Sequence, residues 1–221
     1  TAPAWTEADL KRVAEPHHAA MADAASVIVI DTPQAGPGTR GPAFNIVFNM
    51  STVNMPASAP GAFALAEAYL ETKFADPVTL TININWSDLG SGIIGQTGSA
   101  YRPDIAYADS RAALIAGQDN NDTIEDFLPA GATVPVRFDA LSATVTDIAA
   151  IDWTSAAYRS TVGTSNGSVA NMTYNSAFTF DFDPSNGVGG NLSLVDTIVH
   201  EVGHALGFTS AVDGGGTTSI N

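Results

Sequence analysis

The chain has 221 residues, 23 acidic against 8 basic side chains, and a formal net charge of −15 at pH 7. At 45% hydrophobic residues it can bury a full core and lies outside the disordered class. Its 2 Lys and 6 Arg are scattered, which disfavours a nucleic-acid partner because phosphate tracking needs clustered cations; the absence of Cys excludes disulfides, thiolate metal sites and cysteine nucleophiles.

Residues 1 to about 25 predict a helix, with Trp5, Leu10, Val13 and Met21 near helical spacing and a break or kink at Pro16. Asp31 to Pro42 is rich in Pro and Gly and reads as a linker, so a boundary is expected near residue 43. Residues 1–43 then form an N-terminal helical segment with its linker, and 44–221 the main domain. No apolar run approaches the roughly 18 to 20 residues that span a bilayer, and Val27–Ile30 is strand-sized. The chain starts at Thr1 without an initiator Met or apolar leader. Low charge density with abundant Ala, Thr, Asn, Ser and Gly points to an exported protein, secreted or at the cell surface, of bacterial type.

Phe44, Ile46, Phe48 and Met50 alternate with polar or smaller residues, the period of a half-buried strand. Ala62 to Phe74 predicts a helix after Pro60-Gly61. Val78, Leu80, Ile82, Ile84 and Trp86 alternate with Thr and Asn in the clearest strand of the chain. Further along, the pattern predicts helices over Asp104–Ala116 and, more weakly, Asp147–Arg159. A strand through Phe178, Phe180 and Phe182 and a Gly-rich turn lead into a last helix over about Leu192–Leu206. The mixture predicts an α+β domain with a twisted mixed sheet, without internal repeats.

That last helix carries His200-Glu201-Val202-Gly203-His204. Histidines at i and i+4 lie one turn apart and can both reach one ion at Zn–N distance; the motif has a chance of roughly 0.002 of arising somewhere in a chain of this composition. At about 100° per residue, Val195, Val199, Val202 and Leu206 are expected to form the core face, with Ile198 beside them. His200 and His204 would then look away into a cleft, flanked by Glu201. Ordinary core histidines would lie among the aliphatics instead. In the metal reading, neutral imidazoles of His200 and His204 bind Zn²⁺, which lowers the pKa of a bound water, and Glu201 takes its proton and passes it to the leaving amine. Ser193 and Asp196 fit the capping pattern that starts the helix.

A catalytic zinc normally has three protein ligands. The spacing His-Glu-x-x-His-x-x-Gly resembles the metzincin branch of zincin metalloproteases, in which Gly207 would end the helix and turn the chain back toward the metal. The compact version places a ligand at Ser210, which is not a credible one. After His204 there is no His or Glu, only Asp213, and all four Met residues precede the helix. The stretch His200 to Ser210 resembles leishmanolysin-like proteases. Through Ala211-Val212-Asp213 it is closer to a family of exported bacterial zincin proteases, with weaker likeness from residue 44 onward. The resemblance implies a zincin-like fold, zinc-dependent cleavage of protein or peptide, and a third His and a Met-turn beyond Asn221, so that 44–221 would be a catalytic domain incomplete at its C-terminus and 1–43 would stand where an inhibitory pro-segment would be. Asp213 is the alternative third ligand.

Other motifs carry blander readings. Gly90-Ser91-Gly92-Ile93-Ile94-Gly95 fits a dinucleotide fingerprint, but no helix opens after it, so a Gly-rich loop is expected. Asp181, Asp183, Ser185 and Asn186, and the cluster Asp119, Asn120, Asn121, Asp122, Glu125 and Asp126, offer oxygens to Ca²⁺ but match no complete loop. His17 and His18 diverge by about 100° and read as surface residues. Against the endopeptidase stands a second class: a metalloprotease-shaped binding or adhesion module of the cell surface, inactive for want of a third ligand.

Overall fold

A computed structural model describes residues 27–31, 44–74, 76–118, 123–137, 143–163 and 166–209. The expected N-terminal helix, His17 and His18, the linker after Asp31, Asp119 to Asp122, Ser210 and Asp213 lie outside them. The chain divides into two compact units, residues 1–100 with 166–205 and residues 101–165 with 206–221. Its architecture is mixed α/β with a mixed sheet and, among the described residues, four α-helices, compatible with the α+β expectation. None of these helices is long and apolar enough to cross a membrane.

The first unit is built on alternation. Strand β2 (Asn45–Ser51) buries Ile46, Phe48 and Met50, and β3 (Thr79–Ser87) buries Leu80, Ile82, Ile84 and Trp86. They pair in parallel from Asn45↔Thr79 to Met50↔Ile84, which requires a crossover, supplied by helix α1 (Ala59–Glu71) with Pro60 in its first turn. β1 (Val27–Ile30) adds antiparallel to β2; β9 (Ala170–Asn175) adds parallel to β3; and β4 (Gly95–Ser99) adds antiparallel to β9, giving the order β1-β2-β3-β9-β4. Phe63 of α1 stands edge-on to Phe48 at 5.0 Å and to Tyr174 at 5.5 Å, pinning the helix to the apolar face. Burying such a side chain contributes about 1.5–3 kcal/mol.

On the opposite face β2, β3 and β9 carry mainly Asn, Thr and Ser and no charged side chain, with Val47 among them. Asn49, Asn83 and Asn171 stand on one rung across three strands. Asn49 Nδ2 donates to Asn83 Oδ1 at 3.4 Å, and Asn83 Nδ2 donates to Asn171 Oδ1 at 3.0 Å.

The second unit holds two antiparallel ribbons, β5 (Tyr101–Ala106) with β8 (Ala150–Thr154) and β6 (Val134–Val136) with β7 (Thr146–Ile148). Two of the expected helices fall here and both change. The first starts at Tyr107, as α2 (Tyr107–Gly117), because residues 101–106 are strand, with a register shift between Arg102 and Ile105 and Asp104 at φ 58°. The second is half strand: β8 runs to Thr154, whose hydroxyl accepts from Ala157 N and caps α3 (Ser155–Val162). Cross-strand pairing overrides local helical pattern in each case. Trp153 anchors the unit by donating its Nε1–H to Ser110 Oγ at 2.8 Å.

Back in the first unit, the expected strand 178–182 shrinks to β10 (Phe180–Asp181), paired in parallel with β11 (Leu192–Ser193). Its alternating phenylalanines instead pack on one another, with Phe180 6.4 Å from both Phe178 and Phe182. The loop before β4 is the Gly-rich stretch, and Gly95 continues into a strand rather than a helix. Asn175, fully buried, holds that loop: its Nδ2 donates to Gly90 O at 2.8 Å and Ile93 O at 2.7 Å, and its Oδ1 accepts from Ala177 N at 2.9 Å. Asn175→Ala removes all three bonds at once. It is expected to lower stability by about 1.5–4.5 kcal/mol, from about 0.5–1.5 for each of the three bonds, read as a shifted urea midpoint at unchanged m-value.

Candidate metal centre

Helix α4 (Leu194–Leu206) presents the motif. It starts as its sequence dictates: Ser193 Oγ accepts from Asp196 N at 3.2 Å, and Thr197 Oγ1 donates to Ser193 O at 2.8 Å. It ends at Gly207, whose φ of +116° suits glycine alone and whose missing Cβ would lie 3.2 Å from Thr154 Oγ1.

The buried face differs from the expected one. Leu194, Thr197, Ile198, Glu201, Val202 and Ala205 are buried, whereas Val195, Val199 and Leu206 are only half-buried. The inward direction is rotated by about 90° from the Val195 direction, at 100° per residue. The cause is what α4 packs against. Residues Gly95, Thr97 and Ser99 of β4 share the apolar face with Tyr174, Met172 and Ala170 of β9, their register partners. β4 therefore offers α4 hydroxyls and a bare backbone instead of aliphatic knobs, and the helix turns its carboxylate toward them.

His200 and His204 come together as the spacing requires. Their Nε2 atoms lie 3.2 Å apart and their rings are nearly perpendicular, at 89°. Two nitrogens on a tetrahedral zinc at about 2.0–2.1 Å lie about 3.3–3.4 Å from each other, so the pair fits one edge of such a site. Burial, and then the charge of His204, hold His200 below the usual imidazole range. That favours the neutral ring, the form with a lone pair to give.

Glu201 is not beside an open cleft but almost wholly buried, 1% exposed. Thr97 Oγ1 donates to its Oε2 at 2.5 Å and also lies 3.1 Å from its main-chain oxygen. Oε1 sits where Gly95 lacks a side chain: a Cβ there would be 3.2 Å away. Burial raises the Glu201 carboxyl above the ordinary range, opposed by the Thr97 hydrogen bond and the charge of His204. Tyr174, fully buried, is pushed well up by burial and by the charge of Glu201. Two strand-to-helix contacts hold the assembly: Thr97 Oγ1, whose single proton is shared between Oε2 and the main-chain oxygen of Glu201, and Ser99 Oγ, which donates to His204 O at 2.9 Å.

Among the described residues no group of three or more His, Asp or Glu side chains is gathered for a metal. The oxygens offered to calcium near residue 183 serve a turn: Asp183 Oδ1 accepts from Ser185 N and Ser185 Oγ, which holds Asp183 below the usual carboxylate range, and Asp181 Oδ1 accepts from Asp183 N. Gly95, Thr97, Ser99 and Asn175 are the site residues that pattern reading missed. The only signal for them was a Gly-rich loop followed by hydroxyl residues at period 2. Compared with family models, curated proteins and solved structures, the chain matches none.

Proposed function

We propose that the protein is a zinc-dependent endopeptidase of zincin-like fold, exported by its cell and acting on proteins or peptides. The observation that carries this reading is the meeting of His200 Nε2 and His204 Nε2 at 3.2 Å with Glu201 on the same helical turn. These imidazoles would hold the metal, with a third ligand from outside the described residues, Asp213 being one such residue. Bound there, zinc would supply an acidified water and a charge that polarises the scissile carbonyl. Glu201 would accept a proton from that water and pass it to the leaving amine, and burial, which raises its carboxyl above the ordinary range, suits a group that must both take and give a proton. The substrate would lie extended along β4, the antiparallel edge strand that packs against α4.

Elemental analysis and cleavage of a denatured protein substrate test the reading together. About one zinc per chain is expected, with cleavage lost on chelation and regained on adding zinc. A chain that takes up no zinc, or that cleaves equally well without it, overturns the enzyme. Zinc uptake without cleavage favours the binding-module reading.

A further inference from the structure

We propose that Thr97 is a positioning residue for Glu201, fixing the carboxylate from the edge strand. The proposal rests on the hydrolytic reading above, but its geometry is independent of any metal. Glu201 is buried at 1% exposure, and two contacts place its carboxyl group. Thr97 Oγ1 holds Oε2 at 2.5 Å, and Oε1 lies in the space that Gly95 leaves by having no Cβ. A Glu side chain on a helix samples several rotamers unless packing and hydrogen bonding select one. Here the selection comes from a strand rather than from the helix's own neighbours.

The same hydroxyl lies 3.1 Å from Glu201 O, so it registers both where the residue's backbone sits and where its carboxylate points. Ser99, two residues along β4, makes only the first kind of contact, to His204 O. The two hydroxyls therefore divide the work. Both clamp α4 under the strand, and Thr97 alone reaches a reacting group. Because β4 is the strand along which an extended peptide would add, the residue that aims the base is on the element that would carry the substrate.

The test compares Thr97→Val, which keeps the shape and removes the hydroxyl, with Thr97→Ser, which restores it, and with Ser99→Ala, which loses a clamp of similar kind. In the zinc-loaded protein Thr97→Val is expected to lower kcat about 10- to 100-fold at nearly unchanged KM, as loss of an outer hydrogen-bond partner does. Thr97→Ser recovers most of it, and Ser99→Ala costs less in kcat for a comparable loss of Tm. In the metal-free protein, the ¹³C carboxyl resonance of Glu201, assigned by its disappearance in Glu201→Gln, moves in Thr97→Val and returns in Thr97→Ser. An unmoved resonance, an unimpaired Thr97→Val, or a loss shared equally by Ser99→Ala overturns the positioning role while leaving the enzyme standing. A wild-type protein that binds zinc and cleaves nothing overturns the hydrolytic reading instead, whatever the resonance does, and the role falls with it.

Discussion

Glu201→Gln is expected to reduce peptide cleavage by about 10²–10⁴-fold, the range ascribed to a general base, while zinc content stays at the wild-type level and Tm at pH 7 is unchanged or higher. The two halves of this result have one cause. Burial raises the Glu201 carboxyl, so the fold favours its neutral form. Stability from such a group is fully present below the pKa of the unfolded chain and is lost as pH rises through the higher folded value. Above that folded value the ionised carboxylate costs the metal-free fold stability that the neutral, nearly isosteric Gln does not, and Thr97 can still bond to the amide oxygen. A variant that is inactive and no less stable separates chemistry from folding, since a residue kept only for packing would lower Tm when changed. Full activity in Glu201→Gln, measured on protein with matched zinc content, would remove Glu201 from the mechanism.

His204→Ala should abolish stoichiometric zinc binding at micromolar metal. The expected loss exceeds the roughly 10- to 100-fold in affinity that loss of an outer partner costs, because an inner ligand is gone. The fold should survive. His204 is only half-buried, and such positions usually change stability little, by about 0.5 kcal/mol, so circular dichroism of the metal-free variant should overlay the metal-free wild type. His200→Ala should behave alike. Either variant retaining one tightly held zinc by equilibrium dialysis would show that the two imidazoles are not joint ligands and that their 3.2 Å approach is a hydrogen bond between rings.

The sequence carried the motif and its helix clearly, because His200 and His204 depend only on local geometry and on a helix with strong boundary signals at Ser193 and Gly207. β2 and β3 were equally legible, with large apolar residues at every second position and Asn, Thr or Ser at nearly all the others. The surroundings of Glu201 were not. β4 reads Gly-Gln-Thr-Gly-Ser, with no apolar alternation to mark it as a strand, and its partner residues on β9 lie about 75 positions away along the chain. The direction in which α4 faces inward was lost for the same reason. Periodicity finds the aliphatic side of a helix, but a carboxylate is drawn into the interior by a hydroxyl on another element, and nothing near residue 201 announces that partner. The phenylalanines at 178, 180 and 182 show the converse error: perfect alternation, spent on ring packing beside a strand of two residues.

The amide rung through Asn49, Asn83 and Asn171 bears on how this chain tolerates its surroundings. A net charge of −15 makes the molecule repel itself, and that repulsion changes with ionic strength and acidity. Strand alignment fixed by carboxylates and ammonium groups would drift with both. Carboxamides neither titrate nor attract counterions in this range. The stagger of β2, β3 and β9 is thus written in a chemistry indifferent to brine and to mild acid, and the sheet that carries α4 keeps its alignment in media where the rest of the surface is being recharged.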